Sequence, residues 1–150
     1  MAIEVDATII GMEQLKAHMD LGLAILSNKI AVTVQRNARK ETPVGTIGNS
    51  TNPPGDLAAS IIVDGPHYLG PHTTFAQVGP TTIYGRQREL GGDIVPINAP
   101  YLVFSIFDEW IKTVHVFQKD DPYLYRGLLV SKPKILSLTR STIARVLLLS

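Results

Sequence analysis

Reactive side chains are sparse in this chain, and their spacing narrows what they can do. The four histidines, His18, His67, His72 and His115, stand in none of the spacings that metal sites use, such as His-Glu-x-x-His. His67 and His72 share a segment with Pro66, Gly70 and Pro71 and would meet at a metal only if it folded back to a distant acid. A metal-dependent hydrolase built that way is the enzymatic reading; a solvated loop pair is the simpler one. His18 is expected on the exposed side of a helix, and His115 on a strand face. The acids Asp108 and Glu109, and Asp120 and Asp121, are consecutive, which suits turns rather than two carboxyls facing across a cleft. Gly-x-Ser-x-Gly, the phosphate-binding Gly-x-x-x-x-Gly-Lys-Ser/Thr and Gly-x-Gly-x-x-Gly do not occur, and there is no cysteine for a thiolate site or a disulfide. We therefore expect no catalytic, cofactor-binding or metal-ligating residue, and no enzymatic activity.

The stretch 82–92, TIYGRQRELGG, carries shape instead of reactivity. Tyr84, Gly85, Glu89 and Gly91 stand in the order Tyr-small-x-x-x-Glu-x-Gly, after Pro80, with Gly92 adjoining Gly91. The glycines allow a backbone turn through positive φ. Glu89, set among Arg86, Arg88 and the glycines, is the sharpest single acid. It is either a local ion pair or cap, or one half of a salt bridge across a subunit boundary.

Regular elements must position these residues. Residues 2–10 alternate Ile3, Val5, Ala7 and Ile9, which predicts a first strand ending at Gly11. From Met12 the period becomes helical: Leu15, Met19, Leu26, Ile30, Val34 and Ala38 form an apolar face, opposite Glu13, Lys16, Asp20, Lys29, Arg36 and Arg39. This long helix ends before Pro43. Its apolar face reads as core rather than as a dimer seam, and Gly22 implies close packing or a bend. Residues 41–56 hold Pro43, Pro53, Pro54 and three glycines, a long flexible loop or arm that either lacks order in the free protein or orders against a neighbour. Residues 57–63 and 74–78 read as an antiparallel hairpin joined by a connection at 64–72. Further extended segments are expected at 94–97, 101–107 and 110–117, with Asp108 and Glu109 at a turn. Pro122 opens a short helix to about Val130, and Ser131 with Pro133 starts a last one. The expectation is one α+β domain over 1–150, an antiparallel twisted sheet with a long N-terminal helix and one or two C-terminal helices.

Composition limits the partners. The chain is 45% apolar and 18% charged with a formal net charge of +1, so apolar surface is in excess and no strong basic footprint for nucleic acid appears. The acidic N-terminal segment does not read as a signal peptide, and no apolar run approaches the roughly 18 residues of a membrane span.

From Gly11 to Ile143 the chain resembles the tail-component family of long-tailed bacteriophages, small head–tail joining or tail-completion proteins. The resemblance rests on ordered motifs. They are an opening at Gly11, Met12 and Leu15; a helix end at Ala38, Arg39, Thr42 and Pro43; and Gly55, Leu57, Ser60 and Ile61. Tyr84, Gly85, Glu89 and Gly91 follow, then Pro122, Tyr123, Leu124 and Leu128. The chain departs from the pattern in an insertion at 45–54, in Arg88 at an apolar position and in Gly92 where threonine is common. The resemblance implies a structural virion protein assembled in the host cytoplasm as a ring, sixfold or alternatively twelvefold, at the neck around the DNA channel. Its partners would be other copies of itself and neighbouring connector or stopper, tail-terminator or tail-tube proteins. DNA would be near but not specifically bound, and no membrane is involved. Subunit contacts are then expected around Pro43, Gly55, Leu57, Tyr84, Arg86, Arg88, Glu89, Gly91 and Tyr123. The alternative is a small, non-catalytic nucleic-acid-binding module using Arg36, Arg39, Lys40, Arg86 and Arg88.

Overall fold

The computed structural model describes residues 2–44, 53–106 and 109–148. Its elements run α1 (Ala2–Glu41), α2 (Asp56–Ser60), β1 (Ile61–Gly70), β2 (Thr73–Pro80), α3 (Gly85–Leu90), β3 (Gly92–Ile94), β4 (Leu102–Ile106), β5 (Glu109–Thr113), β6 (Val116–Gln118) and α4 (Tyr123–Leu148). The α+β class expected from the sequence holds, with the long N-terminal helix, antiparallel strands and a C-terminal helix in that order. The strands form three two-stranded antiparallel ladders, β1–β2, β3–β6 and β4–β5.

The helix α1 stops where the sequence says it should: Thr42 turns its hydroxyl back to the Ala38 carbonyl at 2.7 Å, and Pro43 cannot continue the ladder. It starts earlier than expected, because residues 2–10 belong to it and form no strand. Extending an existing helix gains one hydrogen bond per residue, whereas a lone N-terminal strand needs a partner edge, so β-branched alternation loses here.

α4 lies along α1 in antiparallel sense. Ala24, Ala31 and Ala38, seven residues apart, are buried on α1 together with Gly22, and Gly127 and Ser131 are buried on α4. Small residues let the two backbones approach: a Cβ added to Gly127 would stand 2.5 Å from the Ala38 Cα, and one on Gly22 would stand 2.6 Å from Val146 Cγ2. Close packing is thus the reason for Gly22. The expected break at Ser131 and Pro133 does not occur, and α4 is one helix of 26 residues. Ser131 is fully buried, donates to the Gly127 carbonyl at 2.6 Å and accepts from Asn37 Nδ2 at 2.9 Å. The lost Pro133 N–H leaves one helical bond unmade, and packing against α1 outweighs it.

On another side of α1 lies the β1–β2 hairpin. Gln35 and Arg39 of α1 both donate to the Ile61 carbonyl, at 2.8 and 2.7 Å, and at the far end Asp20 accepts the backbone N–H of His72 at 2.9 Å. The hairpin therefore spans about 22 Å of helix. Residues 57–60, expected to begin the strand, are helical in α2, and the expected connection at 64–72 is mostly strand, with register shifts at Asp64/His67 and Tyr68/Gly70. Of the extended piece expected at 94–97 only Ile94 is strand, as the last residue of β3, and the run 110–117 breaks at Val114 and His115 into strands of two different ladders. Glu109 opens β5, while Phe107, Asp108 and half of the loop expected at 41–56 (residues 45–52) lie outside the described residues. The core gathers Ala38, Leu57, Ile61 and Tyr123, with Val78 and Leu124 packed against it.

Candidate functional site

The motif around Tyr84 lies where four helix ends converge. α3 is short, and Gly85 at its start is buried so tightly against Pro80 that a side chain has no room. One turn on, Glu89 points at the first turn of α4. Its Oε2 accepts the Leu124 N–H at 2.9 Å and its Oε1 the Tyr125 N–H at 3.2 Å. A carboxylate there satisfies orphan donors and meets the positive end of the helix dipole. Glu89 is thus a cap within the chain, the local one of its two readings. Replacing it with alanine is expected to lower stability by about 1–2 kcal/mol, read from urea unfolding, with loss of helical signal if α4 frays.

Gly91 closes α3. Its φ is +67°, its N–H donates to the Gln87 carbonyl at 2.8 Å, and a Cβ there would lie 2.6 Å from the backbone nitrogen of Asp120. Asp121 then ties the pieces together: its N–H donates to the Arg88 carbonyl at 2.9 Å, and its carboxylate meets Arg126 at 2.7 Å and Arg88 at 3.6 Å. Arg126 also donates to the carbonyl of Glu41, the last residue of α1, at 2.9 Å. The end of α1 and the start of α4 are therefore held by one guanidinium.

Tyr123 lies beneath this clasp with no exposed surface, and its hydroxyl donates to the Gly85 carbonyl at 3.1 Å. Burial, and then the nearby carboxylates of Glu89 and Asp121, push its phenol up to about 12. The folded chain holds this proton more tightly than the unfolded chain, where the phenol titrates near 10. The stabilisation is accordingly intact below pH 10 and disappears as pH rises toward 12. A Tyr123→Phe variant is expected to show a flatter alkaline limb in a pH series of urea midpoints; an unchanged limb would contradict the assignment. Burial and a 2.8 Å hydrogen bond to the Asp56 carboxylate likewise raise the phenol of Tyr84.

Beside the clasp opens a groove of about 350 Å³, walled by Pro43, Gly55, Leu57, Tyr84 and Arg88, with Ile94 closing one side. Most of the expected contact residues meet here. Pro43, Gly55, Leu57, Tyr84 and Arg88 border the groove; Glu89, Gly91 and Tyr123 form the clasp behind it; Arg86 projects to solvent from α3. Sequence reasoning missed Asp56, Asp121 and Arg126. An aspartate directly before Pro122 and a helix start was a capping signal for Asp121; nothing local marked Arg126, whose partners lie far off along the chain.

The histidines do not assemble. His67 lies in β1, not in a loop, bonded to Asp64 at 2.9 Å and tilted over Phe75, while His72 in the β1–β2 turn meets Asp20 at 2.9 Å. His115 sits in the bend between β5 and β6, not on a strand face, and meets Asp93 of β3 at 2.6 Å. His18 is not exposed as expected: it is half-buried, with Nδ1 buried and without a partner among the described residues. Among these residues no group of three or more His, Cys, Asp or Glu is placed to hold a metal ion. Of the basic strip, Arg39 is committed to the Ile61 carbonyl and Arg88 to Asp121, which leaves Arg36, Lys40 and Arg86 without partners among the described residues. No helix of the described residues is long and apolar enough to cross a membrane. No family model, no curated protein and no solved structure matches the chain.

Proposed function

We propose that this protein is a structural component of a tailed-phage virion, assembled in the host cytoplasm as a ring of its own copies at the head–tail junction. It has no catalytic role in this reading. The observation that carries it is convergence: four of the five motifs quoted for the tail-component resemblance, far apart in sequence, meet at one clasp and one groove, while the opening motif at Gly11, Met12 and Leu15 lies toward the other end of α1. Their side chains cap, tie and pack, which is the work of a scaffold. Surface chemistry supports the same reading. Each two-stranded ladder leaves edges to which another chain can add, and large apolar side chains stand in solvent, Ile83 at 98% and Ile97 at 91% exposure. Ring number, sixfold or twelvefold, and the neighbouring connector, terminator or tail-tube protein belong to this proposal.

Light scattering of the purified protein, alone and with the connector and tail-tube proteins of its phage, tests it. A ring-sized species under either condition is the expected result. A protein that stays monomeric with both, yet binds DNA with a steep salt dependence through Arg36, Lys40 and Arg86, would replace this reading with the nucleic-acid-binding one.

A further inference from the structure

We infer that the outward face of α4 docks an acidic amphipathic helix of another protein. An exposed apolar seam supplies the contact, and charge of one sign along that seam selects the partner.

The face of α4 that packs on α1 carries Gly127, Ser131, Thr142 and Val146. Roughly a third of a turn away, Tyr125, Leu129, Leu136 and Ile143 fall within about 40° of one another round the helix. They are 58, 39, 60 and 53% exposed. Leu129, Leu136 and Ile143 are seven residues apart, the repeat of a helix-to-helix seam, and from Tyr125 the row runs about 27 Å. One exposed leucine is ordinary, but four large apolar side chains on one line mark a docking surface.

The charge on this surface has one sign. Lys132 and Arg140 stand four residues before and after Leu136, so both adjoin it on the same face. Both are exposed, and neither has a partner among the described residues. Over its whole length α4 holds five bases, Arg126, Lys132, Lys134, Arg140 and Arg145, and no acid. Pairing of α4 with α4 is therefore opposed. An antiparallel pair centred on Leu136 would match Leu129 with Ile143 but set Lys132 against Arg140, like charge on like.

The helical acids with described side chains are committed elsewhere in the fold. Glu13, Asp20 and Glu41 pair with Lys16, His72 and Arg126, Asp56 accepts from Tyr84, and Glu89 caps α4 itself. The complementary charge must come from a different protein. Its shape is set by the seam, a single row of side chains that the ridge of another helix matches. A helix that lies on a membrane keeps its cations on the face opposite its apolar one, whereas Lys132 and Arg140 flank Leu136 within the seam. A partner helix with apolar residues on one line and carboxylates beside them meets both features. This surface lies apart from the groove at Tyr84, and its docking role does not depend on the virion role.

The probe is a labelled synthetic peptide three heptads long, with leucines on its seam and glutamates on both flanks; a control peptide carries lysines on the flanks. Repulsion among the glutamates hinders the probe from pairing with itself. Anisotropy titrations with the purified full chain are expected to show the acidic peptide bound roughly tenfold or more tightly than the lysine peptide, a gap that narrows as salt is raised. Leu136→Asp, at an exposed position, is expected to keep the helical spectrum and melting midpoint and to lose the binding. The double variant Lys132→Glu/Arg140→Glu keeps the apolar seam and should reverse the preference toward the lysine peptide, which misfolding could not do. Equal binding of the two peptides, binding of neither, or an unreversed preference in the double variant overturns the inference. So does capture of the chain by phosphatidylserine-containing vesicles or by a DNA duplex in the absence of peptide binding, which would make α4 a lipid or phosphate surface. Self-association of the parent that Leu136→Asp removes would assign the seam to a second copy and overturn it as well.

Discussion

Replacing Tyr123 with alanine is expected to lower the stability of this protein by about 3–5 kcal/mol, a large share of the roughly 5–15 kcal/mol that holds a domain of this size together. The ring is fully buried among Ala38, Leu57 and Ile61, where the ends of α1, α2 and α4 meet, so its removal leaves a void that three separate elements would have to collapse to fill. The substitution also removes the phenol's hydrogen bond to the Gly85 carbonyl, 3.1 Å long. Urea unfolding of three proteins separates these contributions. Tyr123→Phe keeps the ring and loses only the hydrogen bond, about 1–2 kcal/mol, and the remainder of the alanine effect is packing. An alanine variant within about 1 kcal/mol of the parent would mean that the clasp is not the keystone of the core.

The second large effect is expected at Gly127. In an exposed helix, glycine to alanine stabilises by about 1 kcal/mol, so the sign of the change distinguishes propensity from packing. Here an added Cβ would lie 2.5 Å from both the Cα and the backbone nitrogen of Ala38. Backbone atoms cannot swing aside, and the helices must separate, which also strains the Asn37 to Ser131 hydrogen bond of 2.9 Å. Gly127→Ala is expected to destabilise despite its better propensity, and Gly127→Leu to cost roughly 3 kcal/mol or more, with much of the chain unfolded at moderate temperature. Gly79→Ala in β2 is the control, since nothing lies within 4 Å of its added Cβ, and its midpoint should move little. If Gly127→Leu melts like the parent, the close approach of α1 and α4 is not required.

The clasp explains how a chain without cysteines, and so without disulfides, holds its helix ends in register. Glu89, Asp121 and Arg126 each link an element to another that is distant in sequence, and Leu57 and Tyr123 fill the space beneath them. The groove beside them shares Leu57 with the clasp, and its wall residue Arg88 pairs with Asp121 at 3.6 Å, so substitutions that loosen the clasp should also reshape the groove.

The sequence alone determined the α+β class, the end of the long helix at Thr42 and Pro43, the β1–β2 pairing and the positive-φ turn at Gly91 and Gly92. These follow from signals carried within a few residues: a 3.6-residue apolar period, proline's missing donor and glycine's freedom at positive φ. Only the tertiary structure decided what depended on distant partners. Residues 2–10 joined α1 because each adds a hydrogen bond to a helix already formed, and α4 ran through Ser131 and Pro133 because Ala38 and Asn37 packed against its small residues. Glu89 became a cap because the first turn of α4 came within 2.9 Å of it, and Arg126 became a tie because α1 ended beside it. Local pattern sets which conformation each segment prefers, but the balance between close alternatives is decided by burial and by hydrogen bonds that exist only once the chain has closed on itself.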